Sequence, residues 1–415
     1  MSYNRDAILM DSIITAAGRA LAAGDPLSAL KLVALRYDAS ALALRGIAMA
    51  QLGDFARARV LVRRAARAFG SREPVPRARC IVAEAEIALV LRELGWPVQA
   101  LSRAREVLEA HGDHLNATHA RYLEIRRLVL IGRLDDAEVL LEELDPASLP
   151  PTLRAAHELS VAGIAIRRLK MTIGRAALGR ARVAAREADV PALAAEVERA
   201  ASILDTPAAR LVVNGSERLL LLDDVESLFA SQALIVDACR NEAREAGVVI
   251  SLATRPVLFD LLRVIGHAWP SDLSRDAIVS RVFGARAADD SHRARLRVEI
   301  GRLRKLLRPV AEVTATKTGF VLTPRRAHEV VVLARPLEEA HASILALLSD
   351  GESWSSSSLA LALDASQRTV QRALDALGAA GKVQSFGLGR ARRWLTPPVP
   401  GFTTTLLLPA PLPND

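Results

Sequence analysis

Over residues 11–204 apolar side chains recur at steps of three and four, in blocks separated by short polar turns, which predicts one helix after another. Beyond residue 205 the period changes. Short apolar runs at 210–213, 218–222, 234–237 and 248–252 predict strands, the first two joined by the tight turn Asn214-Gly215, whereas 241–246 could continue a helix. Helical spacing returns over 255–267, 274–283 and 291–307, and residues 313–322 predict a hairpin turning at 317–319. Short helices are expected at 341–349, 356–363 and 367–379, with a last hairpin over 381–394. The chain is expected to be mainly α, with an N-terminal α-solenoid of helix hairpins and two smaller C-terminal α+β modules.

Four turns of the first half share a form: GDPLSA at 24–29, GDFARA at 53–58, GWPVQA at 95–100 and GRLDDA at 132–137. In each, a helix ends at a glycine able to take the left-handed conformation, and the next helix carries an early alanine that permits close packing. This pattern resembles tetratricopeptide repeats, with Gly46 and Ala65 matching two further small packing positions. A fifth unit is expected over 153–189 without the turn glycine. The resemblance implies a surface for a protein partner or ligand, or an element for self-association. His111 and His114 have metal-like spacing, but a turn between helices explains them without a third ligand. Trp96 with Pro97 reads as turn packing.

The most explicit stretch is SHRARLRVEIGRLRKLLR at 291–308. Leu296, Ile300, Leu303 and Leu307 form one apolar stripe, and Ser291 stands where an N-cap belongs. Arg297, Arg304 and Arg308 fall on one flank and Arg295 and Arg302 on the other. Ala294, Val298, Gly301 and Lys305 lie opposite the core. Such a helix can anchor by one face, straddle phosphates and bring small side chains to base edges. A solvated basic helix with snorkelling arginines would show the same composition.

Its neighbours tip the balance. ISLATRPVLFDLL, LSRDAIVSRVF, RLRVEIGRLRKLL and VTATKTGFVL, in that order, resemble the OmpR/PhoB-type winged-helix effector domain over about residues 233–324. Ala253 interrupts the family's Leu-Thr pair and Phe320 replaces its wing tyrosine. The resemblance implies that the helix at 291–308 enters the major groove of double-stranded DNA while the wing touches the adjacent backbone. No receiver domain precedes it, so the helical array would replace the usual input.

Residues 367–379, QRTVQRALDALGA, with Val370, Leu374 and Leu377 facing inward, resemble the recognition helix of generic bacterial winged-helix modules. Residues 381–394 would be its wing, and Trp354 and Trp394 its core plugs. A degenerate module used only for packing or dimerisation is the alternative. The expected division is 1–205 tetratricopeptide-like solenoid, 206–325 first winged helix with an N-terminal sheet, 326–396 second winged helix and 397–415 a proline-rich tail, either an extended strand on a neighbour or a flexible end. Candidate DNA contacts are His292, Arg293, Arg295, Arg297, Val298, Arg302, Arg304 and Lys305 on the first helix and Lys317 in its wing. Gln367, Arg368, Gln371, Arg372, Arg390 and Arg392 are the candidates in the second module.

Composition agrees with this reading. At 415 residues the chain implies two to four domains, and 51% hydrophobic with only 4% aromatic residues suits packed helices. A net charge of +8 favours a polyanionic partner, although the arginines are spread over both halves. The two cysteines, Cys80 and Cys239, lack any zinc spacing and read as reduced, buried thiols. The N-terminal stretch lacks a signal-peptide pattern, and no apolar run reaches membrane-spanning length, so a cytoplasmic protein without membrane partners is expected. No phosphate loop, dinucleotide fingerprint, nucleophile elbow or HExxH motif occurs, so no enzyme activity and no cofactor are expected. Acidic pairs such as Asp135-Asp136 and Asp289-Asp290 read as N-terminal charges of helices or turn residues. A sequence-specific DNA-binding transcriptional regulator is the reading that follows. The alternative is a tetratricopeptide-type scaffold whose winged helices meet proteins; RNA binding is weaker for want of an aromatic platform or a GxxG loop on a suitable fold.

Overall fold

The computed structural model describes residues 2–90, 97–130, 132–213, 215–284, 289–335, 341–348, 354–363, 365–379, 382–386, 389 and 392–395. The chain is mainly helical and divides into two units. One comprises Met1–Arg168, Thr172–Ser202 and Ala340–Asp415; the other comprises Leu169–Met171 and Ile203–Glu339.

The first unit begins with α1 (Ser2–Ala22), α2 (Pro26–Val33), α3 (Ala39–Gln51), α4 (Phe55–Phe69), α5 (Pro74–Val90) and α6 (Val98–Ala110). It continues with α7 (His114–Leu130), α8 (Leu134–Glu142), α9 (Pro151–Arg167), α10 (Met171–Ala188) and α11 (Pro191–Ser202). From α1 to α9 each helix packs on the next, and the odd-numbered helices also pack on one another in series. The turns carry the expected chemistry. Gly24, Gly53 and Gly132 take φ of 73°, 83° and 80°, and the following N–H groups reach back into the helix just ended, as in Asp54 N to Met49 O at 2.9 Å. Asp25 and Asp54 then cap α2 and α4.

Ala29, Ala58 and Ala137 are buried early in their helices, as the turn pattern predicts. The turn at 95–100 departs from it. Pro97 is the N-cap of α6, one position later than in the other turns, so Leu101 and Ala104 are buried and Ala100 is only half-buried. Gly95 and Trp96 lie outside the described residues. In the fifth unit Leu169 takes the left-handed φ of 54° that glycine supplies elsewhere. Gly46 is needed for contact, because a Cβ there would stand 2.6 Å from Val62 Cγ2.

The second unit holds a six-stranded sheet in the order β2-β1-β9-β3-β4-β5, in which only β3 and β9 run parallel. Its strands are β1 (Ala209–Val213), β2 (Ser216–Leu220), β3 (Leu234–Asp237), β4 (Glu242–Glu245), β5 (Val248–Ser251) and β9 (Val330–Ala334). Three of these findings differ from the expectations. Residues 242–245 are a strand rather than a continued helix; α12 (Leu222–Phe229) was not foreseen; and the boundary at 325 moves beyond Ala334. The physical reason for the last is that β9, a continuous apolar run, fills the gap between β1 and β3. Buried Glu245 secures the approach by accepting the Ala327 N–H at 2.8 Å.

Of the next three helices, α13 (Pro256–Ala268) packs on β3 and β9, and α14 (Arg275–Phe283) and α15 (Asp290–Leu307) pack on α13 and on a three-stranded sheet ordered β6-β8-β7. Its strands are β6 (Leu273–Ser274), β7 (Ala311–Ala315) and β8 (Gly319–Pro324). Gly266 lets α13 approach β3 and β9, since a Cβ would already lie 3.3 Å from Val236. The order of three helices and the β7–β8 hairpin is the one the sequence predicts, whereas β6 is an added strand.

The C-terminal segment has α16 (Ala342–Leu348), α17 (Ser356–Ala362), α18 (Gln367–Ala379), β10 (Gln384–Phe386) and β11 (Arg393–Leu395). Val370, Leu374, Leu377 and Trp394 are buried in its core, with Trp354 packed against it. Residues 397–415, where the tail was expected, lie outside the described residues.

Candidate nucleic-acid interface

Helix α15 is fixed by the stripe read from the sequence: Leu296, Ile300, Leu303 and Leu307 are all buried in one core with α13 and β8 residues. Its cap is Asp289, not Ser291. The Asp289 carboxylate accepts the His292 N–H at 2.8 Å and faces His292 Nδ1 at 2.6 Å, and these contacts, the backbone bond foremost, hold its pKa below the ordinary value. Asp is as good a cap as Ser and adds charge at the positive helix end. His292 is therefore a capping neighbour, half-buried, rather than an outward contact.

The opposite ridge is open. Ala294, Val298, Gly301 and Lys305 are exposed, Val298 at 54%, and no atom lies within 4 Å of a Cβ built on Gly301. The cations of the ridge and its flanks divide into two sets. Arg297, Lys305 and Arg308 are exposed without an ion-pair partner among the described residues. The others are engaged. Arg293 lies 3.5 Å from Asp276, Arg302 lies 2.9 Å from Glu299, and Arg295 stacks on the Phe283 ring at 4.7 Å. Arg304 donates its Nε–H to Val313 O at 2.6 Å and stands 5.9 Å from the Phe320 ring centre. Arg304 is thus a strut between helix and hairpin, not a free flank.

The turn between β7 and β8 holds Lys317, exposed and without an ion-pair partner among the described residues. Its backbone is clamped from the start of α14. Arg275 donates to Lys317 O and Thr316 O, both at 3.0 Å, and lies over the Phe320 ring at 5.3 Å. Asp272 accepts from the Thr316 and Thr318 hydroxyls, which hold its carboxyl below the ordinary range. Gly319 is obligatory, because a Cβ would fall 1.7 Å from Leu273 O. Sequence reasoning missed Asp272 and Arg275. The only signal was an Asp and an Arg flanking the Ser274 cap, which a helix start explains equally well.

In the C-terminal segment Arg368 and Arg372 are exposed on α18 and Ser366 caps it through Thr369 N at 3.1 Å. Gln367 donates to Ser356 Oγ at 3.2 Å, and Gln371 to Asp375 Oδ1 at 3.3 Å. Arg392 stacks on Trp394 at 4.2 Å and lies 4.0 Å from Asp375. Arg390 lies outside the described residues. Two exposed arginines therefore remain on this helix, while its glutamines and Arg392 have local partners.

Elsewhere the chemistry is sparse. Cys80 is buried and Cys239 half-buried, both are free thiols, and burial pushes them up to about 12 and about 11. Among the described residues no group of His, Cys, Asp or Glu is placed to hold a metal ion, and no helix is long and apolar enough to cross a membrane. His111 Nδ1 lies 2.8 Å from Val107 O at the end of α6. Comparison with models of protein families, with curated proteins and with solved structures gives no match for this chain.

Proposed function

We propose that this protein is a sequence-specific DNA-binding regulator of transcription. In this reading residues 209–334 form a winged helix of OmpR/PhoB type carrying its own sheet, with α15 as recognition helix and the 316–318 turn as wing. The helices α1–α11 form a tetratricopeptide-like α-solenoid that receives a signal or partner, and the C-terminal segment is a second, smaller winged helix. The observation that carries the reading is the make-up of α15: one face locked into the core, the opposite ridge open and of modest bulk from Ala294 to Gly301, with Lys305 at its end and Arg297 and Arg308 beside it, these three cations without ion-pair partners among the described residues. Small exposed side chains flanked by free cations suit a groove with base edges at its floor and phosphates on its walls.

A protein-interaction scaffold is the second reading, and a specific observation favours it: Arg293 and Arg302, both candidate DNA contacts, are paired with Asp276 and Glu299. Both arginines are exposed, and a phosphate can replace the carboxylate that each now meets. The deciding experiment maps the DNA bound by the full chain in cells, then measures affinity for recovered and scrambled duplexes at several salt concentrations. Preference for recovered sites over scrambled DNA, with a salt-dependent common component, is expected. Equal affinity for both, or none for either, rejects the DNA reading.

A further inference from the structure

A cleft of about 290 Å³ opens between α5, α6, α7 and α8 in the first unit. Its walls are apolar, with Ala88 on α5, Leu101 on α6, Leu128 on α7 and Leu140 on α8. Yet among the described residues three guanidiniums, those of Arg105, Arg121 and Arg127, line it against one carboxylate, that of Glu124. A gap in helix packing that served only the fold would be filled by side chains, and it would not gather like charges around an apolar floor.

The polar groups form an organised set. Glu124 is buried and accepts from Ser102 Oγ at 3.0 Å, with Arg121 at 3.5 Å and Arg105 Nε at 3.9 Å. That Arg105 Nε is buried and makes no hydrogen bond. Two further carboxylates come from outside the cleft lining: Glu109 reaches Arg105 at 2.7 Å and Glu143 reaches Arg121, and both glutamates are about half exposed. The arginine ends of these pairs are mostly buried and the glutamate ends reach water, so either glutamate can swing out without leaving a carboxylate buried behind it. An arriving carboxylate can replace them at little cost, while an apolar body fills the floor.

We infer that this cleft is a binding site for a small amphipathic carboxylic acid, a compact apolar chain or ring bearing one carboxylate directed at Arg105 and Arg121. At about 30 Å³ per heavy atom, the share of a water molecule in the liquid, the volume holds roughly ten such atoms. A medium-length acyl carboxylate matches it. The site is independent of the DNA reading, because its occupancy is measured on the protein alone. Were the protein a regulator, the ligand would be its input.

Octanoate serves as probe, with octan-1-ol and octylamine as neutral and cationic partners of equal chain length. Titration calorimetry on the full chain should give one saturable octanoate site and a raised unfolding midpoint, with octan-1-ol at least tenfold weaker and octylamine not bound. Ala88→Leu, which places a larger side chain on the apolar wall, should weaken octanoate at least tenfold; if that variant fails to fold, Ser102→Leu on the half-exposed wall makes the same block. Arg105→Gln with Arg121→Gln should bring octanoate down to the affinity of octan-1-ol. No saturable binding, equal binding of all three probes, or octanoate affinity unchanged in the folded blocking variant would overturn the assignment.

Discussion

The Nε–H of Arg304 donates to the carbonyl of Val313 at 2.6 Å, so a residue that reads as a phosphate contact instead ties α15 to β7. The same guanidinium approaches the ring of Phe320 on β8. The basic face of this helix is therefore two populations: cations that build the hairpin's seat, and cations left free at its rim.

The difference is measurable. Arg304→Ala should lower stability by about 1 kcal/mol in denaturant unfolding, since it removes a charged donor's bond at a partly exposed site. Arg304→Lys keeps the charge but not the guanidinium geometry, and should lose most of the same stability. Arg297→Ala should leave stability within about 0.5 kcal/mol of the parent. In DNA binding the order reverses, with Arg297→Ala reducing the salt slope by about one unit through a lost phosphate contact. An Arg297→Ala variant that unfolds more readily than Arg304→Ala would contradict the division.

The Asp272 clamp gives a pH dependence. Its folded-state pKa is lowered, first by the Thr316 hydroxyl and then by that of Thr318, so the contribution is present above the ordinary carboxylate range. It is lost as pH falls through the depressed folded value. Asp272→Asn should accordingly lower the unfolding midpoint at neutral pH, and the gap to the parent should close in strong acid. A gap that persists unchanged at pH about 2 would mean the clamp does not act through the ionised carboxylate.

A third expectation concerns the interior of the helical array. Arg126 on α7 meets Glu196 on α11 at 2.6 Å, with both side chains largely withdrawn from water and Glu86 nearby. Burial pushes the Arg126 pKa down and that of Glu196 up, the charged forms being opposed by lost hydration. Glu196→Leu alone removes the guanidinium's carboxylate partner on α11 and should cost about 3 kcal/mol, whereas Arg126→Met combined with Glu196→Leu should cost clearly less. Equal costs for single and double variants, measured in denaturant, would show that the pair is not coupled.

Much of the fold could be read from the chain because it rests on local periodicity. The Leu296–Leu307 stripe, the glycine turns at 24, 53 and 132, and the hairpin after α15 are each dictated within a dozen residues. What escaped depends on partners far away. The run VVVLA at 330–334 is plainly apolar, but its place between β1 and β3 is set by residues about a hundred positions earlier. Residues 242–245 carry two glutamates and an arginine that suit a helix, and become strand because β3 and β5 flank them. At the candidate interface the charges themselves were legible and their pairing was not. Arg302 turns to Glu299 while Arg297 stays free, a choice made by rotamers and neighbours that composition does not encode.

The exposed ridge of α15 offers the sharpest test, because at Gly301 stability and recognition pull apart. Gly301 sits in mid-helix with open space where a Cβ would go, so no packing reason requires glycine there. Gly301→Ala should raise stability by about 0.5–1 kcal/mol, the usual gain in an exposed helix interior. Gly301→Leu should fold nearly as well as the parent, since leucine is a good helix former and nothing obstructs it. In a major groove, however, a larger side chain on the ridge holds the helix away from the bases. Gly301→Leu should then lose preference for specific over scrambled DNA by tenfold or more, while its affinity for scrambled DNA and its salt slope stay close to the parent's. Val298→Glu, one turn earlier on the same ridge, should change which sequences are preferred, as an apolar contact to thymine methyls gives way to an acceptor for cytosine N4. Both variants leave the buried stripe untouched, so lost binding with an intact unfolding transition is interpretable. If Gly301→Leu folds and retains full discrimination between specific and scrambled duplexes, the ridge does not face base edges and α15 is not the reading helix.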